Sequence, residues 1–285
     1  ADGSRRGHAD RHREVMRVRQ LDLADLPNAL RLANERPYSN CFLISMFEKQ
    51  HLLGVVGIFD GDDLLAVATT GANCVSTDLT TATAAALASF LAREGRRSSS
   101  IVGRKPNVQL LWAALDGRWG TSRAIRESQP LLVLEKAPAI SGDPLVRRST
   151  PADFDLVFPA CVHMFRDEVG VDPLANGMGA AYRERIQQVI DTGRSFVRIV
   201  NGVIEFKAEF GAVSSGVAQM QGVWVAPHLR GTGLAAPALA AVSAMSMAET
   251  APAVELYVND FNVAARKAYE RVGFEQHDEF STVFF

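Results

Sequence analysis

The 285-residue sequence predicts an α/β fold, a mixed β-sheet with helices on its faces, and three segments carry that prediction. An apolar, β-branched run ending in Val223-Trp224-Val225 stops at Pro227, turns through Arg230-Gly231-Thr232-Gly233 and opens into the helix-forming run Leu234 to Glu249. A second strand, Val254–Val258, ends at Asn259-Asp260 and passes into a helix that starts near Asn262 and closes at Gly273, a residue suited to a helix C-cap. Between Ser195–Val200 and Val203–Ala212, Asn201-Gly202 is the strongest short signal for a β-hairpin turn.

The other elements follow in order. Residues 1–14 are largely polar and lack apolar periodicity, and 1–16 are expected to be a disordered or processed leader that includes His8 and His12. From Val18 the pattern reads as strand Val18–Leu21, helices Asp22–Asn34 and Cys41–Glu48, then strands Leu52–Phe59 and Leu64–Thr69 across Asp60-Gly61-Asp62-Asp63. An alanine-rich helix over Thr80–Arg93, strand Ser99–Val102, helix Asn107–Leu115 and strand Gln129–Leu134 complete the first half. Pro138, Gly142 and Pro144 make 138–145 the linker candidate, separating 17–137 from 146–285. The second half starts with a strand at Leu145–Arg148, and Thr150-Pro151 caps a helix that runs to Val169. A helix over Met178–Thr192, the hairpin and strand Gly216–Ala226 lead into the glycine turn. Phe274–Phe280 and Thr282–Phe285 are expected to close as an antiparallel pair. The first half echoes the second element for element and reads as a degenerate copy of it, with its equivalent turn expected near Ala72-Asn73-Cys74 and lacking the glycine pair. The alternative is a separate α/β scaffold that only buries a face of its neighbour.

Composition bounds the function. With 47% hydrophobic residues the chain can fill two ordinary cores. No apolar window reaches membrane-spanning length, and Leu234 to Met247, the longest approach to one, is interrupted by Pro237 and serines. No secretory pattern is visible, so a soluble cytoplasmic protein is expected. Cys41, Cys74 and Cys161 are odd in number and widely spaced, and the six histidines form no cluster, so neither a disulfide framework nor a metal site is expected. Residues 1–150 carry 20 basic and 16 acidic side chains (+4) and residues 151–285 carry 10 and 16 (−6), which sum to the net charge of −2. The basic run at Arg93–Arg97 and Arg104-Lys105 lacks interleaved aromatics, so no nucleic-acid partner is expected. The acidic second half favours a cationic ligand beside its one basic turn.

That turn has its own chemistry. Strand, glycine turn and helix start, in that order, aim free backbone N–H groups at whatever occupies the turn. Gly231 and Gly233 allow close backbone approach, and Arg230 adds charge-assisted donors suited to phosphate. A plain glycine-tightened β–α connection with a surface arginine is the competing reading. Neither Gly-x-x-x-x-Gly-Lys-Ser/Thr nor the third glycine of Gly-x-Gly-x-x-Gly is present.

The two blocks together resemble the GCN5-related N-acetyltransferase (GNAT) superfamily. Arg230-Gly231-Thr232-Gly233-Leu234-Ala235 matches its Arg/Gln-x-x-Gly-x-Gly/Ala hallmark, and Asn262, Ala265, Tyr269, Gly273 and Phe274 match its later Asn-x-x-Ala…Tyr-x-x-x-Gly-Phe block, about thirty residues on. The chain also resembles actinobacterial two-domain members with an uncharacterised domain before the catalytic one. The resemblance implies the GNAT fold, here as two tandem copies with the first degenerate. It implies acetyl-CoA as cosubstrate, with Arg230 to Ala235 cradling the pyrophosphate and the edge of Val223, Trp224 and Val225 pairing with the pantetheine arm. Asn262 would help hold that arm, or serve only as the N-cap of its helix. Tyr269 would act as general acid toward the departing thiolate, or only pack under the strand.

The base is open. Many family members carry a glutamate early on the phosphate-loop strand, where this chain has Gln219 and Gln221, and an amide takes no proton. Glu205, Glu209 and Glu255 on neighbouring strands are the candidates, with Glu205 and Glu209 sharing a strand parity. Glu168 is expected at the acceptor end, His228 at the rim, and Met164 and Phe165 in an apolar wall or in the core. Trp224, opposite in parity to Val223 and Val225, is expected to pack on a helix or on the first half. The reading is an N-acetyltransferase acting on a primary amine of a small molecule, a peptide N-terminus or a lysine, as a monomer or homodimer. The alternatives are a decayed acetyl-CoA-binding module and a tandem-domain acyl or aminoacyl transferase.

Overall fold

The computed structural model describes residues 16–285, so nearly all of the expected leader, with His8 and His12, lies outside the described residues. The first half runs β1 (Arg17–Gln20), α1 (Leu26–Asn34), α2 (Cys41–Glu48), β2 (Val55–Asp60), β3 (Asp63–Thr69), β4 (Asn73–Cys74), α3 (Thr81–Glu94), β5 (Ser100–Arg104), α4 (Lys105–Leu115) and β6 (Ala124–Leu134). The second runs β7 (Val146–Arg148), α5 (Phe154–Val169), α6 (Gly179–Asp191), β8 (Ser195–Val200), β9 (Val203–Val213), β10 (Val217–Val225), α7 (Ala235–Glu249), β11 (Ala253–Tyr257), α8 (Val263–Val272) and β12 (Glu275–Phe284). Setting aside single 3-10 turns, the two successions have the same order of strands and helices.

Local chemistry explains several boundaries. Asn201 and Gly202 both take positive φ, 51° and 74°, as a two-residue hairpin of the primed type demands. Thr80 and Thr83 form a reciprocal capping box at the start of α3. Asn262 caps α8 through a bond from the Ala265 N–H, and Gly273 ends that helix at φ 108°. Beside Leu239 and Val242, helix α7 buries Ala236, Ala238, Ala240, Ser243 and Ser246. Such small side chains let neighbouring segments lie close, and Gly142 crosses α7 where a β-carbon would come 2.8 Å from Ala241 Cα.

The sheets are joined by exchange. Nine strands run β4-β5-β12-β6-β11-β10-β9-β8-β7, and β1-β2-β3 form a second sheet, whose Ala68 makes an isolated bridge to Ser76, two residues after β4. Strand β6 lies between β11 and β12, and β12 lies between β5 and β6, so each half's last strand is paired on both edges and contributes to the other's side. Val283 is buried in the core that includes Leu87, Leu111 and Leu115, and Phe285 packs edge-on against Trp112 and Trp119, both at 5.5 Å. One core cluster fills the space between the second half's sheet and α7 and α8, and another lies under α5 and α6.

Two expectations are corrected. β12 is one continuous strand and not a pair closing near Ser281. Ser281 and Thr282, where the break was expected, are buried in the ladder, with Ser281 Oγ donating 2.8 Å to the Arg126 carbonyl and Thr282 Oγ1 donating 2.6 Å to Gln129 Oε1. Asn73-Cys74, read as the first half's counterpart of the glycine turn, is strand β4 paired parallel with β5. The connection into α3 comes after it. There Asp78 accepts hydrogen bonds from Arg36, Arg104 and Asn107.

Exchange of β6 and β12 predicts that the two halves unfold as one unit. Trp112 and Trp119 report on the first half and Trp224 on the second. In urea their fluorescence midpoints are expected to coincide, and Val283→Ala, costing about 2–3 kcal/mol, should lower both together. Separate midpoints would show that each half stands alone.

Candidate functional site

Strands β10 and β11 run parallel for three residue pairs, Val217 with Ala253 to Gln219 with Glu255. Beyond that point β11 continues along β6 while β10 continues along β9, and the two part. A β-bulge at Gly222 and Val223 accompanies the parting. Gln221 faces Glu209 and Trp224 faces Lys207, so two residues of β10 oppose Ala208 alone. Gly222 supplies the required positive φ of 60°. After the bulge, the Ala226 N–H donates 2.9 Å to the Glu205 carbonyl on β9. Backbone groups alternate in direction along a strand, so Val225 turns its N–H and carbonyl to the opposite edge, into the gap left by β11.

The glycine turn closes one end of this gap. Gly231 and Gly233 hold φ of 81° and 90°, and nothing lies within 4 Å of a β-carbon built on either. Helix α7 then starts without a side-chain cap and without an acidic residue in its first turn, which leaves its N-terminal N–H groups open to an anion. Arg230 stands at the mouth, donating 3.1 Å from Nε to the Val225 carbonyl and 3.2 Å from Nη2 to Asp167. Thr232 Oγ1 donates 2.8 Å to the Leu229 carbonyl. Val223, Val225, Leu234 and Ala235 pack on the α7–α8 core, and Trp224 points to the other face, among Val157, Ala160 and Cys161, with its Nε1 unpartnered. His228 is exposed in the turn.

Tyr269 lies in the α7–α8 core, edge-on to Phe274 at 5.8 Å. Burial pushes its phenol pKa well above the ordinary value, and the Glu168 charge adds to the effect. Asn262, seven residues earlier on the same helix, is exposed at its tip. Sequence spacing put the two on one side, and the structure gives them different environments.

The three candidate carboxylates separate sharply. Glu205 is the extra residue of a second bulge, between the pairs Arg198–Phe206 and Ile199–Ile204. The bulge breaks the parity expected between Glu205 and Glu209 and turns Glu205 toward Arg198, which also donates 2.8 Å to Asp143. Glu209 faces α5 and α6 instead, bound by Arg185 at 3.1 Å and Gln221 at 3.0 Å, with Lys207 Nζ at 3.7 Å. Burial alone would raise its pKa, but the Lys207 and Arg185 charges and these bonds hold it below the usual value. Glu255 has no exposed surface. Its Oε1 accepts 2.6 Å from Gln219 Nε2, its Oε2 has no partner, and burial pushes its pKa up to about 8.

Other groups approach the gap. Glu168, near the end of α5, is reached by solvent on one side, yet the protein crowding it raises its pKa. Arg126 and Arg123, on and beside β6, donate to the Glu168 and Val169 carbonyls, so the first half helps to fix this end of α5. Met164 is buried, and Phe165 packs edge-on to Tyr182 at 5.6 Å. Lys207 and Gly222 were missed in the sequence. A lysine inside an apolar strand and a glycine in mid-strand were the signals available for them. Among the described residues no cluster of His, Cys, Asp and Glu fits a metal, and no helix is long and apolar enough to cross a membrane.

Residues 166–274 match the acetyltransferase (GNAT) family model, and residues 54–157 match a model described as a domain of unknown function (DUF4081). A GCN5-related N-acetyltransferase from Sphaerobacter thermophilus shares 14% identity at a TM-score of 0.61, over 95% of this chain and 95% of its own. An acetyltransferase of the GNAT family from Colwellia psychrerythraea shares 13% at 0.56, over 94% and 99%. A tandem GNAT protein from the clavulanic acid biosynthesis pathway shares 14% at 0.55, over 94% and 98%. At such identities the structural likeness speaks to the fold alone. Among curated protein sequences none matches this chain. Residues 166–274 are thus similar in sequence to the GNAT acetyltransferase family, and the fold is that of GNAT proteins.

Proposed function

We propose that the chain is an acetyl-CoA-dependent N-acetyltransferase that acts on a primary amine by direct attack in a ternary complex. The observation that carries this reading is the parting of β10 from β11, which leaves a strand edge free beside an uncapped helix start. The open edge at Val223 and Val225 suits the amide-bearing pantetheine arm. Arg230, the Gly231 and Gly233 turn and the first N–H groups of α7 suit the pyrophosphate. Asn262 caps α8 through Oδ1, which leaves its amide N–H groups for that arm.

Glu255 is the proposed base. Of the three carboxylates it alone sits where the strands part, and one of its oxygens is uncommitted. A pKa near 8 suits proton abstraction close to neutral pH. The amine nitrogen attacks the thioester carbonyl and gives up its proton toward Glu255; the carbon–sulfur bond then breaks, and Tyr269 offers its phenol O–H to the departing sulfur. Acidic Asp167 and Glu168 near the gap favour a cationic amine, consistent with the −6 charge of residues 151–285. Acetyl-CoA binding without transfer is the second reading. The complete burial of Glu255 and the amides at Gln219 and Gln221 favour it.

The first half fits a second GNAT-like copy, because its elements repeat in the same order and 17–137 and 146–285 divide on that basis. Its β4–α3 connection carries no glycine pair. The Asp78 carboxylate already engages Arg36 and Arg104 there, so this half is not expected to hold acetyl-CoA.

The test is acetyl-CoA calorimetry on wild type and Gly233→Trp, followed by thiol release with a panel of amines. Wild type should bind and release thiol in an amine-dependent way, while Gly233→Trp, strained at φ 90° and filling the turn, should lose binding. Binding without release for every amine would favour the second reading.

Glu255→Gln provides a separate check. It should lower kcat by about 10²–10⁴ and remove the rise in rate near pH 8. A rise that persists unchanged would exclude Glu255 as the base. The same variant should melt higher than wild type above about pH 7. A carboxyl whose folded pKa is raised stabilises fully below its unfolded value, and that contribution is lost as pH climbs through about 8. The difference in Tm is therefore expected to grow from pH 5 to pH 8.

A further inference from the structure

Lys207 has no solvent exposure. Its Nζ donates 2.9 Å to the Gly222 carbonyl and 3.4 Å to Met164 Sδ, and lies 3.7 Å from Glu209 Oε2. Burying a lysine and a glutamate together is costly, and an apolar pair of similar size would serve packing as well or better. The backbone atom that Lys207 selects gives a reason for it. That oxygen belongs to the bulge, and a β-carbon on Gly222 would come 3.1 Å from Lys207 Nζ and 3.2 Å from Glu209 Cδ. Bulge and ammonium thus require glycine at that position.

A carbonyl and the N–H of the next residue share one planar trans peptide and point in opposite directions. The Gly222 oxygen meets the Lys207 ammonium, so the Val223 N–H points away from that charge; two residues before Val225, it shares the strand edge that faces the gap where β10 and β11 have parted. Lys207 and Arg185 against Glu209 leave one positive charge in excess behind this peptide. A cation on the carbonyl oxygen strengthens the N–H at the other end as a donor.

We propose that Lys207 is a positioning residue for acyl transfer, fixing and polarising the Gly222–Val223 peptide so that the Val223 N–H meets the thioester oxygen as it becomes an oxyanion. The inference rests on the acetyl-CoA reading above. As the carbon–nitrogen bond forms, the carbonyl π pair moves onto oxygen, where Val223 donates. As that pair returns, the carbon–sulfur bond breaks, sulfur leaves with its electrons and takes a proton, and the amine's proton goes to the base. Lys207 neither gains nor loses a proton. The Val225 N–H remains for the pantetheine arm, while the Val225 carbonyl is engaged by Arg230.

The test is infrared spectroscopy of acetyl-CoA labelled with ¹³C at the thioester carbonyl, bound to wild type and to Lys207→Met, with calorimetry on the same samples. Lys207→Met should bind within about threefold of wild type. It should lose the downward shift of the carbonyl stretch that wild type imposes. With an accepted amine, its kcat should fall about tenfold or more at unchanged KM for acetyl-CoA, since removing a whole oxyanion donor costs about 10²–10³. If Lys207→Met does not fold, Lys207→Met combined with Glu209→Gln removes both charges, and the same losses are expected. A folded variant that binds and keeps the shifted stretch would overturn the role of Lys207 alone. Failure of wild type to bind acetyl-CoA would overturn the functional reading, and this inference with it.

Discussion

Strands β10 and β11 stay together only from Val217 to Gln219, and the rest of the site follows from what drives them apart. The bulge at Gly222 and Val223 leaves β10 paired with β9 on one edge and with no strand on the other. An unpaired strand edge in a protein interior is a liability, because each backbone N–H and carbonyl left without a partner costs free energy. The same edge is an asset where an extended, amide-bearing ligand is meant to lie. The glycine turn and the bare N-terminus of α7 continue the gap into a place for negative charge. A mid-strand glycine, a short parallel pairing and an uncapped helix thus belong to one geometric device.

The face of the sheet under α5 and α6 is polar to an unusual depth. Glu209 is bonded there to Arg185 and Gln221 with Lys207 beside it, so the two fully buried charges, Lys207 and Glu209, are left with partners. Glu255 differs from them. One of its oxygens has no partner, and its carboxyl resists ionisation until about pH 8. A fully bonded group next to an under-bonded one is what a site needs if the first holds shape and the second reacts.

Much of this was legible in the residues. The hairpin at Asn201-Gly202, the glycine turn and the cap at Asn262 follow from local conformational demands that few other residues meet. The glutamates were not assigned so well, because a strand's period of two predicts facing only while the register is unbroken. The bulge at Glu205 reversed one side chain, and no composition signal marks it. Strand exchange was equally invisible, since pairing of β6 with β11 and β12 is decided by tertiary packing. Lys207 looked like one more charged residue on a strand. Its meaning depends on Gly222, 15 residues away and on the neighbouring strand.

Hydrogen–deuterium exchange of the amides, with and without acetyl-CoA, tests the central claim most directly. If the free edge of β10 and the glycine turn receive the cofactor, added acetyl-CoA should slow exchange at Val223 and Val225 and across Gly231 to Ala236. The connection near Asp78 in the first half should be unaffected. Protection absent from β10, or centred on the first half, would contradict the account.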